Sequence, residues 1–220
     1  MITITNEDNM LMMSRYLDKH FDLAIVDPPY GIGVSSKKGH GRRKNGNSFT
    51  NYIPKDWDNK KPNDAYWKEL FRISKNQIVF GANYFTNYLP PSMGWIFWDK
   101  QFSENFSFAA GELIYTSFQT SLNKIIIKRS EWINCVSNSK DKVSLKRIHP
   151  TQKPVALYKW LLEKYAKEGD KILDTHLGSG SIAIACHDYG YDLTACELDT
   201  EYYNESLKRY NTHIQQIKLF

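Results

Sequence analysis

Lys171-Ile172-Leu173-Asp174-Thr175-His176-Leu177-Gly178-Ser179-Gly180-Ser181-Ile182-Ala183 is the stretch that decides the fold. It starts as a short strand, Lys171 to Leu173. It ends as a helix, Ile182 to His187. Between them, Gly178 to Ala183 fits G-x-G-x-x-A, the glycine-rich turn of a nucleotide-binding βα unit. Glycines let the backbone approach a ligand closely, and the N-terminus of the following helix offers free N–H groups. The next predicted strand, Asp192 to Cys196, ends at Glu197, 17 residues after Gly180. A carboxylate there can accept hydrogen bonds from both hydroxyls of a ribose. The bland alternative is a tight turn followed by a surface glutamate.

Asp174 narrows the ligand. It ends the strand just before the glycine turn, where a carboxylate would repel a pyrophosphate and attract an ammonium group. That favours S-adenosylmethionine, whose methionyl end carries an amine, over NAD.

Working outward, short apolar runs alternate with helical stretches, the pattern of βαβ units and a mostly parallel sheet. Strands are predicted over Ile2 to Thr5, Phe21 to Val26, Gln77 to Phe80, Trp95 to Trp98, Glu112 to Phe118 and Lys124 to Lys128. Helices are predicted over Asn9 to Lys19, Asn63 to Ser74, Val155 to Tyr165 and Glu201 to Tyr210. The chain carries no internal repeat and no clear linker, so the expectation is a single α/β domain over residues 1–220. It includes a basic loop region at about 31–56 and a candidate recognition region at about 128–150.

The second chemical motif is Asp27-Pro28-Pro29-Tyr30, which closes the Phe21 to Val26 strand. Two prolines end that strand, because proline cannot donate to the ladder and fixes its own φ. Methyl transfer to an exocyclic amine is the problem such a motif can solve. The amine is a poor nucleophile because its lone pair is delocalised into the ring. A carboxylate and a backbone carbonyl, both accepting from the NH2, favour the tetrahedral geometry of the transition state. Asp27 and the Pro28 carbonyl would be those acceptors, Pro29 would stiffen the turn, and Tyr30 would stack on the base. The alternative is a proline-rich turn capped by an aspartate.

Composition bounds the reading. The 220 residues are 41% hydrophobic and 24% charged, which excludes a disordered or fibrous chain. The net charge of +5 permits a nucleic-acid partner without demonstrating one. No run approaches a membrane span, and the first residues lack the pattern of a signal peptide, so a cytoplasmic protein is expected. Cys135, Cys186 and Cys196 lack CxxC spacing and read as packing residues, with no metal site. Lys37, Lys38, Arg42, Arg43 and Lys44 lie in a loop, 31–55, that contains no acidic residue. They are candidates for phosphate contacts, or for a solvated insertion. A second basic stretch, from Lys124 to Lys153, is the candidate for the remaining groove and backbone contacts, or a solubilising loop.

The order of these motifs resembles the DNA amino-methyltransferases, in the permuted β-class order where the target-base motif precedes the cofactor motif. His149-Pro150-Thr151-Gln152-Lys153-Pro154 is similar to the family's motif just before the cofactor strand. The resemblance spans about Ile2 to Tyr210. It implies a Rossmann-like class I methyltransferase fold with a mostly parallel sheet flanked by helices, and S-adenosylmethionine as methyl donor. It implies Asp8 near the adenine of the cofactor and Lys153 near its methionyl end. Thr175, Gly178, Ser179, Gly180 and Ser181 join Asp174 and Glu197 in the cofactor site. Thr175-His176 stands where the family usually has Pro-Phe, and Ser181 where Thr is commoner. The reaction implied is direct methyl transfer to N6 of adenine in double-stranded DNA with the target base flipped out. The enzyme would be a monomer or homodimer. Asp at the first motif position leans toward adenine, since Ser is commoner for cytosine. Cytosine N4, RNA adenine and a catalytically dead binding module are the alternatives.

Overall fold

The computed structural model describes residues 1–33, 55–101, 109–128 and 148–217. Eight strands form one sheet. They are β1 (Ile2–Asn6), β2 (Phe21–Val26), β3 (Ser74–Phe80), β4 (Trp95–Asp99), β5 (Gly111–Thr116), β6 (Asn123–Ile126), β7 (Lys171–Asp174) and β8 (Asp192–Glu197). Their order is β1-β8-β7-β2-β3-β5-β4-β6. The first five strands in that order are parallel, and β5 runs against both of its neighbours. The α-helices among the described residues are α1 (Asn9–Met13), α2 (Asp64–Ile73), α3 (Val155–Tyr165), α4 (Ser181–Tyr189) and α5 (Thr200–Ile217).

The central strands are apolar along their whole length because both faces are covered. Leu23, Ile25, Ile78, Phe80 and Ile172 pack on one face against Leu157 and Leu161 of α3 and Ile182 of α4. Ala24, Val26, Val79 and Leu173 point to the other face, where Met12 and Met13 of α1 and Trp67 and Leu70 of α2 cover them. Asn63 starts α2 by accepting from the amide of Tyr66 at 3.2 Å, and Pro62 just ahead fits a helix start.

Several boundaries differ from the sequence reading. α1 stops at Met13 rather than Lys19. Lys19 turns with φ +55, and its amide donates to the Arg72 carbonyl at 2.8 Å. A tertiary contact thus redirects the chain into β2. β5 ends at Thr116 and β6 at Ile126, each two residues short of expectation. α5 runs on to Ile217.

The first strand pairs in parallel with the last, from Ile2 opposite Leu193 to Asn6 opposite Glu197. β7 lies beside β2, with Leu23 opposite Ile172. The carboxyl ends of β2, β7, β8 and β1 therefore share one edge of the sheet, where ligands of open α/β sheets bind.

Candidate active site

Both motifs border one cleft of about 490 Å³ on that edge, within the size range of small-molecule sites. Asp8, Asp27, Pro29, Lys153, Thr175, Gly178, Ser179 and Glu197 line it. Tyr66, His149, His176 and Tyr202 complete much of the wall. Pro28, Tyr30, Asp174, Gly180 and Ser181 stand behind the lining rather than in it. Lys37, Lys38, Arg42, Arg43 and Lys44 fall outside the described residues, as does most of the region at 128–150.

The glycine turn has the backbone its sequence demands. Gly178 and Gly180 have φ of +54 and +71, which side-chain-bearing residues rarely adopt. A Cβ on Gly180 would also sit 3.1 Å from the Cβ of Ser206. The amide of Gly178 donates to Oε2 of Glu197 at 2.8 Å, and Oε1 accepts from the amide of Asp199 at 2.9 Å. Burial raises the pKa of Glu197, and these amides hold it back. The floor of the turn is tied from behind. Ser181 Oγ donates to the Lys153 carbonyl at 2.7 Å, and Arg209 donates to the Ser179 carbonyl at 2.7 Å and to Ser181 Oγ at 2.9 Å.

Asp174 is fully buried. Its Oδ1 accepts from the amide of His176 at 3.0 Å, while Oδ2 has no partner among the described residues. Burial pushes its pKa up to about 8. An orphaned buried acceptor behind the Thr175 to Ser179 wall is an attractive spot for a positively charged group. Asp8 caps α1, which the sequence reading missed, accepting from the amides of Met10 and Leu11 at 2.8 and 3.2 Å. His176 is a satisfied histidine, held between Asn9 Nδ2 at 3.0 Å and Thr175 Oγ1 at 2.9 Å. It still reaches the cleft. Burial lowers its pKa to about 4, so it is neutral at physiological pH.

The Asp27 side carries a buried ionic network. Lys153 Nζ donates to Asp27 Oδ2 at 2.9 Å. It also lies 3.1 Å from Glu112 Oε1. Tyr30 Oη sits 2.7 Å from Asp27 Oδ1 and 2.8 Å from Glu112 Oε1. Lys100 donates to Glu112 Oε2 at 2.9 Å. The Tyr30 ring stacks on Tyr84 with centroids 5.0 Å apart. One ring face is therefore covered, and the hydroxyl is engaged rather than idle. Asp58, itself buried, accepts from the amides of Tyr30 and Gly31 at 2.7 and 3.0 Å and so pins the turn.

Lys153, expected near the methionyl end of the cofactor, lines the cleft. Its side chain is only 6% exposed, and its ammonium is spent on Asp27 and Glu112. Lys124, from the second basic stretch, pairs with Asp99 at 2.9 Å. Glu112, Asp58 and Arg209 escaped the sequence reading. Only Glu112 had a signal, a lone carboxylate inside the otherwise uncharged Gly111–Thr116 strand.

The pattern of one protein family, described as DNA methylase, matches residues 99–208. The chain belongs to that family. Type II methyltransferase M.HpaI of Haemophilus parainfluenzae is 23% identical, over 87% of this chain and 68% of that protein. Type II methyltransferase M1.MboII of Moraxella bovis is also 23% identical, over 86% of this chain and 88% of that protein. Among solved structures, the complex of M1.HpyAVI with S-adenosylmethionine superposes with a TM-score of 0.61 at 17% identity. The match covers 95% of this chain and 100% of that one. PvuII DNA methyltransferase, described as cytosine-N4-specific, gives a TM-score of 0.61 at 12% identity, over 95% of this chain and 86% of that one. The DNA methylase described here thus has the Rossmann-like class I methyltransferase fold. The methyl donor of such enzymes is S-adenosylmethionine, and the cleft fits it in three ways. The glycine turn admits close backbone approach, Glu197 stands at the next strand end, and Asp174 holds an unpartnered acceptor behind the wall. No helix among the described residues is long and apolar enough to cross a membrane.

Proposed function

We propose that this DNA methylase transfers the methyl group of S-adenosylmethionine to N6 of adenine in double-stranded DNA, with the target base flipped into the cleft. The observation that carries the reading is the shared cleft: Asp27 and Pro29 of the Asp-Pro-Pro-Tyr motif line it together with Gly178 and Glu197. In this reading acceptor and donor chemistry meet near the carboxyl ends of the adjacent strands β2 and β7.

S-adenosylmethionine supplies an electrophilic methyl group on a sulfonium. The protein's part is to bind, orient and polarise. Glu197 takes the ribose hydroxyls. Asp174, a carboxyl with an orphaned oxygen, favours the methionyl ammonium. Asp27 and the Pro28 carbonyl accept hydrogen bonds from the amine and stabilise the positive charge that develops on nitrogen, a gain realised in the transition state. Tyr30 holds Asp27 through its hydroxyl, and any stacking on the base uses the ring face away from Tyr84. The expected phosphate contacts, Lys37, Lys38, Arg42, Arg43 and Lys44, remain part of the proposal. So does the loop at 128–150 as the recognition region.

The test is transfer of labelled methyl to duplex DNA followed by nucleoside analysis. N6-methyladenine is the expected product. N4-methylcytosine would move the acceptor assignment to cytosine, and label only in RNA would overturn the DNA substrate.

A further inference from the structure

Glu112 comes from β5, far along the sheet from the cofactor strand, yet it meets the Asp27 motif in a mostly buried network. Its side chain is 11% exposed, and Lys153 and Lys100 both reach it. We propose that Glu112 is a positioning residue for Asp27: it draws off part of the Lys153 ammonium and of the Tyr30 hydroxyl, so that Asp27 keeps the acceptor strength that the substrate amine needs. The inference rests on the reading of Asp27 as the amine's partner.

The geometry gives the reason. A buried Lys153 facing Asp27 alone would form a tight, private ion pair at 2.9 Å. Such a pair would weaken the carboxylate as an acceptor for anything else. With Glu112 Oε1 at 3.1 Å, the same ammonium is divided between two carboxylates. Tyr30 is divided in the same way, 2.7 Å from Asp27 and 2.8 Å from Glu112, and its single O–H cannot serve both at full strength. Lys100 balances the second carboxylate, so two acids and two bases close the charge count.

The charged and titratable groups facing Asp27 are Tyr30 from its own turn, Lys153 ahead of α3, Glu112 on β5, Asp174 on β7 and Tyr158 on α3. Burial raises the pKa of Asp27, Lys153 pulls it back, and Glu112 adds to the rise. Burial works against ionised Glu112 too, but Lys153 and Lys100 outweigh it and hold its pKa at about 2. Glu112 is thus the permanent anion of the pair.

Glu112→Gln keeps the shape and the acceptor oxygen but removes the charge. Lys153 then closes on Asp27. The expected result is a kcat lowered by roughly tenfold or more, S-adenosylmethionine affinity within about twofold of wild type, and the acid limb of the kcat–pH profile moved down by roughly one pH unit. Lys100→Gln frees Glu112 to act more strongly and moves the same limb up. A merely structural Glu112 would lower the melting temperature without moving either limb. Wild-type limbs in both variants overturn the inference, and Lys100→Gln decides alone if Glu112→Gln does not fold. Asp27→Ala separates the two claims. An inactive Asp27→Ala with unmoved limbs sinks only the role of Glu112. An active Asp27→Ala sinks the reading of Asp27 and this inference with it.

Discussion

The amide of Gly178 donates to Oε2 of Glu197 across 2.8 Å, locking the glycine turn to the end of the neighbouring strand. Both oxygens of that carboxylate accept from backbone amides, Oε2 from Gly178 and Oε1 from Asp199, and each keeps a further lone pair for a ligand. Preorganisation of this kind lowers the ordering cost of binding. Glu197→Ala should weaken S-adenosylmethionine binding by about 1–3 kcal/mol, because a charged acceptor is lost and the Gly178 amide loses its partner. Calorimetry returning wild-type affinity would remove Glu197 from the site.

Asp27→Ala should cut turnover by about a hundredfold or more while leaving S-adenosylmethionine affinity close to wild type, since Asp27 serves the acceptor and not the donor. Paired turnover and calorimetric measurements check this. Unchanged turnover would show that the amine is held elsewhere.

Tyr30→Phe separates ring from hydroxyl. If stacking were the whole role of Tyr30, the hydroxyl would be dispensable. The hydroxyl instead bridges Asp27 and Glu112 inside the protein. Tyr30→Phe should therefore lower both the melting temperature and kcat, with about 1–3 kcal/mol lost from stability for the missing charged hydrogen bond. Tyr30→Ala should lose more, because the contact with Tyr84 goes too. A Phe variant with wild-type kcat and melting temperature would restore pure stacking.

Asp174 makes two pH predictions of opposite sense. Its folded pKa of about 8 lies above its ordinary value of 3.8 because of burial. The folded protein then holds a proton that the unfolded chain releases. The resulting stability is fully present below about pH 4 and is lost as pH rises through about 8. Ligand binding runs the other way. A bound ammonium favours the carboxylate, so S-adenosylmethionine affinity should rise between pH 6 and 8 with proton release. Asp174→Asn should flatten this group's contribution to both trends. Calorimetry in buffers of different ionisation enthalpy would detect the proton, and its absence would count against an ionic role for Asp174.

The two glycines of the turn should differ on substitution. Gly178→Ala meets only backbone strain of about 1–2 kcal/mol, since its Cβ would lie 3.9 Å from the His149 ring. Gly180→Ala adds a crowded contact with Ser206. Thermal melts should show the larger drop for Gly180→Ala, and equal drops would mean that the α5 side yields freely.

The sequence by itself determined the local pieces. The βα unit around Gly178 and Gly180 was legible because positive φ calls for glycine. The abrupt end of β2 at Asp27-Pro28-Pro29-Tyr30 was legible because proline cannot continue a ladder. The parallel core was legible because strands covered on both faces are apolar throughout. These are short-range constraints, written where they act. Tertiary structure decided what meets what. The motif around Lys153 places it near the cofactor, but its pairing with Asp27, 126 residues earlier, appears only in the fold. Glu112 and Asp58 gain meaning only where β5 and the loop before α2 close on the same turn. The length of α1 was settled by Arg72 of α2, not by the propensities of residues 14–19. Pairing between distant segments depends on how the whole sheet closes, and no window of sequence encodes it.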